Sequence, residues 1–278
     1  MKFKTSDGLA LYYDISGKGA PCLFLHGGPG YWSKSFQHFA GDLLEENLQM
    51  IYLDQRGCGR SEHSPIQDYS LERVVEDIEA LRIHLGIEEW WIIGHSFGGL
   101  LAVNYASKFP NRMKGMILSN VTLHMLASFK HQIIRGASLL KKDVPEIDTL
   151  SLESFIKTYY EILTSLLENE VYFSFQYSDL EMKKEVDLID QDGLESDPNF
   201  QQFVFSSKDY FRDFSLITSA ITNPVLIIVG ENDHAVGPIH HQLFQFKNKQ
   251  VSIIKGSHHP YIENQAEFKE TILNFVCR

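Results

Sequence analysis

Apolar positions along this chain follow two rhythms. In residues 21–25, 50–53, 90–93, 113–119, 224–229 and 251–254 bulky apolar side chains come in short runs, the form strands take when both faces of a sheet are covered. Between them the spacing changes to that of helices. Leu71, Val74, Val75, Ile78, Leu81 and Leu85 recur every three to four residues, residues 100–109 read as a helix closed by Pro110, and residues 265–276 read as a closing helix. At the start, residues 2–5 and 9–15 flank Ser6-Asp7-Gly8, a tight turn between two antiparallel strands. Strand, loop, helix, strand is the alternation of an α/β protein with a parallel sheet.

The alternation lapses over residues 121–215. That stretch carries helical patterns, clearest over 150–167, and many aromatics: Phe129, Phe155, Tyr159, Tyr160, Tyr172, Phe173, Phe175 and Tyr177. The expected organisation is a core of residues 1–120 and 216–278 interrupted by a helical insertion, 121–215. Most of these aromatics are expected to build the insertion's own core.

Composition narrows the classes without naming a function. The chain has 278 residues and a formal net charge of −11, and no basic run or patch offers itself to phosphates, which argues against a nucleic-acid partner. No apolar run has the length of a membrane span, and the first eight residues lack the apolar stretch of a secretion signal. Cys22, Cys58 and Cys277 are odd in number and scattered, so neither a disulfide framework nor a zinc site is indicated. The expectation is a cytoplasmic protein, its oligomeric state unspecified.

Candidate chemistry sits at the ends of the buried strands. Trp90-Trp91-Ile92-Ile93 runs into Gly94-His95-Ser96-Phe97-Gly98-Gly99, a Gly-x-Ser-x-Gly turn between strand and helix. Such an elbow holds a serine in a strained conformation at the sheet edge, with small residues two positions away on each side so that strand and helix can approach. After residues 21–25 comes His26-Gly27-Gly28-Pro29-Gly30. The phosphate reading of this glycine-rich loop fails, because neither nucleotide-binding spacing is present. The oxyanion-binding reading fits, with His26 structural. In the loop 54–61, Asp54 and Arg56 read as scaffold. The run 224–229 ends in Gly230-Glu231-Asn232-Asp233-His234, offering Glu231 or Asp233 as an acid on the same sheet edge. The last strand leads to the adjacent histidines His258 and His259, either of which can serve as a base.

His26-Gly27-Gly28-Pro29-Gly30, Asp54-Gln55-Arg56-Gly57-Cys58-Gly59-Arg60-Ser61 and the Ser96 elbow together resemble the α/β-hydrolase superfamily, and within it the proline iminopeptidase family. The resemblance covers the chain except the insertion. It implies an α/β-hydrolase fold: a mostly parallel eight-stranded sheet flanked by helices, with the insertion as a helical cap. It implies Asp233 as the acid, and His258 as the base through its spacing to Pro260 and Glu263. The expected triad is Ser96, Asp233 and His258, in the chain order Ser–acid–His, with an oxyanion hole from the backbone N–H groups of Gly28 and Phe97.

The reaction implied is acyl transfer to water, which requires no metal or organic cofactor, on a small-molecule or short-peptide substrate. Family resemblance further points to cap carboxylates holding a free amine, with Glu153, Glu161, Glu168, Glu170, Asp179, Glu181 and Glu185 as candidates. One departure concerns substrate. The family's elbow reads Gly-Gly-Ser-Trp-Gly-Ser, and the form here is commoner among esterases. A carboxylesterase is therefore the alternative to an aminopeptidase or amidase. A non-catalytic binding protein is less favoured, because such proteins often lose triad residues and all three are present here.

Overall fold

A computed structural model describes residues 1–277. Eight strands form one sheet in the order β1-β2-β4-β3-β5-β6-β7-β8. β1 (Lys2–Lys4) and β2 (Ala10–Gly17) are antiparallel to each other, and β2 is antiparallel to β4. The remaining strands run parallel: β3 (Ala20–Leu25), β4 (Leu48–Leu53), β5 (Trp90–His95), β6 (Met113–Ser119), β7 (Val225–Gly230) and β8 (Lys249–Ile254). Every residue of β5 and β7 is buried, which is why those strands read as unbroken apolar runs.

Strand alternation divides this apolar content between two cores. Leu23, Leu25, Ile51, Leu53, Trp90, Ile92, Met116 and Leu118 face one side. There they meet α2 (Leu71–His84) and α3 (Gly98–Lys108). Their sequence neighbours Cys22, Phe24, Met50, Tyr52, Trp91, Ile93 and Ile117 face the other side. These pack on α1 (Lys34–Leu44) and, with α8 (Pro260–Glu263), on the closing helix α9 (Gln265–Val276). A one-residue slip in any central strand would exchange its two faces, so the register is fixed twice over. α3 begins two residues before the expected position 100, because Gly98 and Gly99 already belong to it.

Between β6 and β7 lie four helices, α4 (Met125–Leu139), α5 (Leu152–Glu168), α6 (Leu180–Asp190) and α7 (Pro198–Ser206). Ser151, Asp179 and Asp197 cap the last three, each accepting a backbone N–H in the first turn. α4 and α5 pack through the stacked rings of Phe129 and Tyr159, 4.1 Å apart. Among the described residues, no helix is long and apolar enough to cross a membrane.

The Asp54–Ser61 loop is scaffold. Asp54 is fully buried and accepts Ser33 N–H (2.8 Å) and Oγ (2.7 Å) together with Arg60 N–H and Nε (3.0 and 2.7 Å). The Arg56 guanidinium, also fully buried, grips Asp77 of α2 with two bonds (2.6 and 2.8 Å) and reaches Asp7 at 3.1 Å. One cation thus joins the first hairpin turn, this loop and α2.

Candidate active site

Ser96 sits at the β5–α3 turn with φ +53°, the left-handed region that non-glycine residues rarely enter. Its neighbourhood explains the small residues around it. A Cβ on Gly98 would lie 2.1 Å from the Leu25 carbonyl oxygen, so helix and strand can approach only with glycine there. A Cβ on Gly27 would lie 2.9 Å from Ser96 Cβ, so the Gly27–Gly28 loop rests directly against the serine. Phe97 and Gly28 both border the pocket in front of it. Among the described residues, neither backbone N–H has a protein acceptor.

Asp233 follows β7 and is completely buried. Oδ1 accepts the N–H groups of Ala235 (2.9 Å) and Val236 (3.2 Å), and Oδ2 accepts Asn120 Nδ2 (2.8 Å) and His258 Nδ1 (3.0 Å). Burial opposes ionisation here, but the His258 ring and these donors outweigh it and hold Asp233 below the ordinary carboxylate range. With Nδ1 committed to Asp233, the His258 Nε2 has no protein partner among the described residues, and His258 borders the same pocket as Ser96.

The competing residues make no contact with this pair of side chains through hydrogen bonds. Glu231 is exposed. His259 is held between Tyr261 Oη (2.8 Å) and Gln176 Oε1 (3.4 Å) and makes no contact with Asp233. Burial, then the neighbouring histidines, hold His95 and His259 well below the usual histidine range. Both rings pack on His258, with centroids 4.7 and 5.0 Å away.

His26 is locked as a neutral ring. Its Nδ1–H donates to the Gly27 carbonyl at 2.9 Å, and Nε2 accepts the Gln55 N–H at 3.0 Å. Burial brings its pKa to about 4, and that of His240, whose Nε2 accepts the Leu123 N–H at 3.1 Å, likewise to about 4. Unfolding returns each ring to a value near 6.5. The unfolded chain therefore binds more protons between those limits, and stability falls as pH drops from 6.5 towards 4. Each ring contributes about 3 kcal/mol of this loss. Urea unfolding at pH 7 and pH 4.5 should show a large drop in midpoint at the lower pH. Equal midpoints would refute the neutral-ring assignment.

The pocket encloses about 570 Å³. From the core it is bordered by Gly27, Gly28, Ser96, Phe97 and His258, and from the insertion by Phe129, Tyr159, Tyr177, Asp187 and Asp190. Ser196 Oγ donates to the Gly30 carbonyl and Gln201 Nε2 to the Pro29 carbonyl (2.9 Å), so the insertion also grips the glycine-rich loop.

The carboxylates differ from those expected. Glu153, Glu161, Glu168, Glu170, Asp179, Glu181 and Glu185 are all exposed and border no part of the pocket, because they occupy the solvent faces of α5 and α6 and the adjoining turns. The pocket acids are Asp187 and Asp190, near the end of α6. Asp187 is paired with Lys183 one turn earlier. Asp190 accepts Tyr31 Oη (2.8 Å), Trp32 Nε1 (3.0 Å) and Ser35 Oγ (3.3 Å). It has no cationic partner among the described residues. Burial dominates these donors and raises its pKa above the ordinary range. Asn120 is a second residue that sequence reasoning passes over. It follows β6 directly, with φ +52°, on the same sheet edge as Ser96 and Asp233, and that position is its only sequence signal.

A family model described as the alpha/beta hydrolase fold matches residues 21–265. The proline iminopeptidase of Thermoplasma volcanium is 26% identical over 286 residues, covering 97% of this chain and 94% of that protein. The proline iminopeptidase of Arabidopsis thaliana is 38% identical over 123 residues, covering 43% of this chain and 32% of that protein, so this chain spans about a third of that relative. The crystal structure of a proline iminopeptidase-related protein from Thermus thermophilus matches 100% of this chain and 96% of its own with a TM-score of 0.84 at 20% identity.

Proposed function

The chain belongs to the α/β-hydrolase family, and from there we propose that it is a serine hydrolase acting on small amides or short peptides with a free N-terminus, in the manner of an aminopeptidase. In this reading His258 Nε2 takes the Ser96 proton as Oγ attacks the substrate carbonyl carbon, and the same ring then protonates the departing amine. Water, deprotonated in turn by His258, releases the acid from the acyl-serine. Asp233 holds the Nδ1–H tautomer and stabilises the imidazolium in both steps. The N–H groups of Phe97 and Gly28 receive the oxyanion, each worth about 3–4 kcal/mol in comparable sites.

One observation carries the substrate reading: Asp190 is a pocket carboxylate supported by three neutral donors and lacking a cation among the described residues. A substrate ammonium would supply the missing charge in a site partly withdrawn from water, where the pair gains strength. The elbow Gly94-His95-Ser96-Phe97-Gly98-Gly99, and the aromatic side of the pocket around Phe129 and Tyr159, favour a carboxylesterase as the second reading.

Proline and alanine arylamides assayed beside short-chain arylesters separate the two. Ester turnover without amide turnover would select the esterase. Asp190→Asn is expected to raise KM for free-amine substrates by about 10–100-fold, the worth of one charge-assisted contact, with a much smaller effect on esters lacking an amine. An unchanged KM would remove the amine site. Labelling of Ser96 by a fluorophosphonate distinguishes either hydrolase from a binding protein.

A further inference from the structure

Four consecutive insertion residues, 175–178, touch the two loops that carry the acid and the base, three through hydrogen bonds and one through ring stacking. The Phe175 carbonyl accepts the N–H of His234, the residue after Asp233, at 3.2 Å. The Gln176 carbonyl accepts the N–H of His258 itself at 3.1 Å. Tyr177 stacks on His259 with centroids 4.7 Å apart. Ser178 then donates twice to Glu263, from N–H at 2.9 Å and from Oγ at 2.7 Å.

Glu263 has a third donor, the N–H of Ser257 at 2.5 Å. Ser257 immediately precedes the base, and its carbonyl accepts Asn120 Nδ2 at 3.0 Å, the same amide group that donates to Asp233. The peptide leading into His258 is therefore pinned at both ends. The loop leaves room for this, since a Cβ on Gly256 (φ +143°) would lie 2.8 Å from Glu263 Oε2.

We infer that Glu263 is a positioning residue for the base: by clamping Ser178 of the insertion to Ser257, it makes the insertion part of the frame that aligns His258 with Asp233. The inference rests on the reading of Ser96, Asp233 and His258 as a triad. Three donors converge on one carboxylate, each a charge-assisted bond. The base must meet Asp233 and Ser96 at once, so a shift of about 1 Å in its backbone is enough to cost on the order of 100-fold in rate.

Full-length Glu263→Ala, Glu263→Gln and Ser178→Ala variants test this on an arylester. Glu263→Ala should lower kcat about 30–100-fold with KM within about twofold, and slow fluorophosphonate labelling by the same factor. It should also weaken the downfield proton resonance of the imidazole N–H held against Asp233. Glu263→Gln keeps one acceptor oxygen and should recover part of the loss, and Ser178→Ala should cost a few-fold, about the share of one of three bonds. A variant with lowered Tm but wild-type kcat and resonance would overturn the inference, as would a rate loss matched by a rise in KM. Should Glu263→Ala fail to fold, the Gln and Ser178 variants give the same two readouts. If wild-type Ser96 takes no label, the triad reading itself fails.

Discussion

Ser96→Ala should lower kcat by on the order of 10⁵–10⁶-fold while leaving KM and the unfolding midpoint close to wild type. The change removes one oxygen from a partly exposed residue at a turn whose shape is set by its neighbours. Alanine meets the same backbone demand at φ +53° as serine does, so the strain of the elbow is unchanged. What disappears is the atom proposed to attack. The residual rate would come from the Phe97 and Gly28 donors and from binding, about 10³–10⁴ over water in comparable enzymes. Steady-state turnover of an activated ester is the measurement. A variant retaining more than about a hundredth of wild-type activity would show that another group attacks.

The second large effect separates two adjacent histidines. His258→Ala is expected to cost on the order of 10⁴–10⁶-fold in kcat, and His259→Ala no more than about tenfold. Only His258 meets Asp233, at 3.0 Å, whereas both nitrogens of His259 are taken by Tyr261 and Gln176. His259 then matters as a wall against which the base packs. Asp233→Asn belongs to the same prediction at about 10⁴-fold, because an amide would favour the wrong tautomer of His258. Since Asp233 is held below the ordinary carboxylate range, it stays ionised across the neutral range and should add no limb of its own there. Kinetics of the three variants from pH 5 to 9 check this. Equal losses at His258 and His259 would overturn the assignment.

The sheet was legible because burial on both faces leaves little room for polar residues. β5 and β7 announce themselves as apolar runs, and the alternation Cys22, Leu23, Phe24, Leu25 already contains the partition into two cores. The elbow was legible for a steric reason, since Gly98 has no alternative beside the Leu25 carbonyl. Ser96, Asp233 and His258, the proposed triad, stand out in the sequence because each follows a readable strand. The pocket acids could not. Whether a carboxylate on α6 faces water or the pocket depends on how that helix meets Tyr31, Trp32 and Ser35, more than 150 positions away in sequence. The seven acids named from the chain share their chemistry with Asp190 but sit on the wrong side of their helices and turns. Asn120 was missed because a lone polar residue just past a strand looks like any turn residue.

The grip of Ser196 and Gln201 on Gly30 and Pro29 bears on how this enzyme can acquire new substrates. With residues 175–178 tied to the loops after β7 and β8 and 196–201 tied to the glycine-rich loop, the two ends of that stretch hold the loops of the proposed triad and oxyanion hole. Helix α5 and the turns around it carry no such obligation. Variation that retunes specificity without loss of rate should therefore gather there, and a transplanted insertion will work only if it brings both anchors with it.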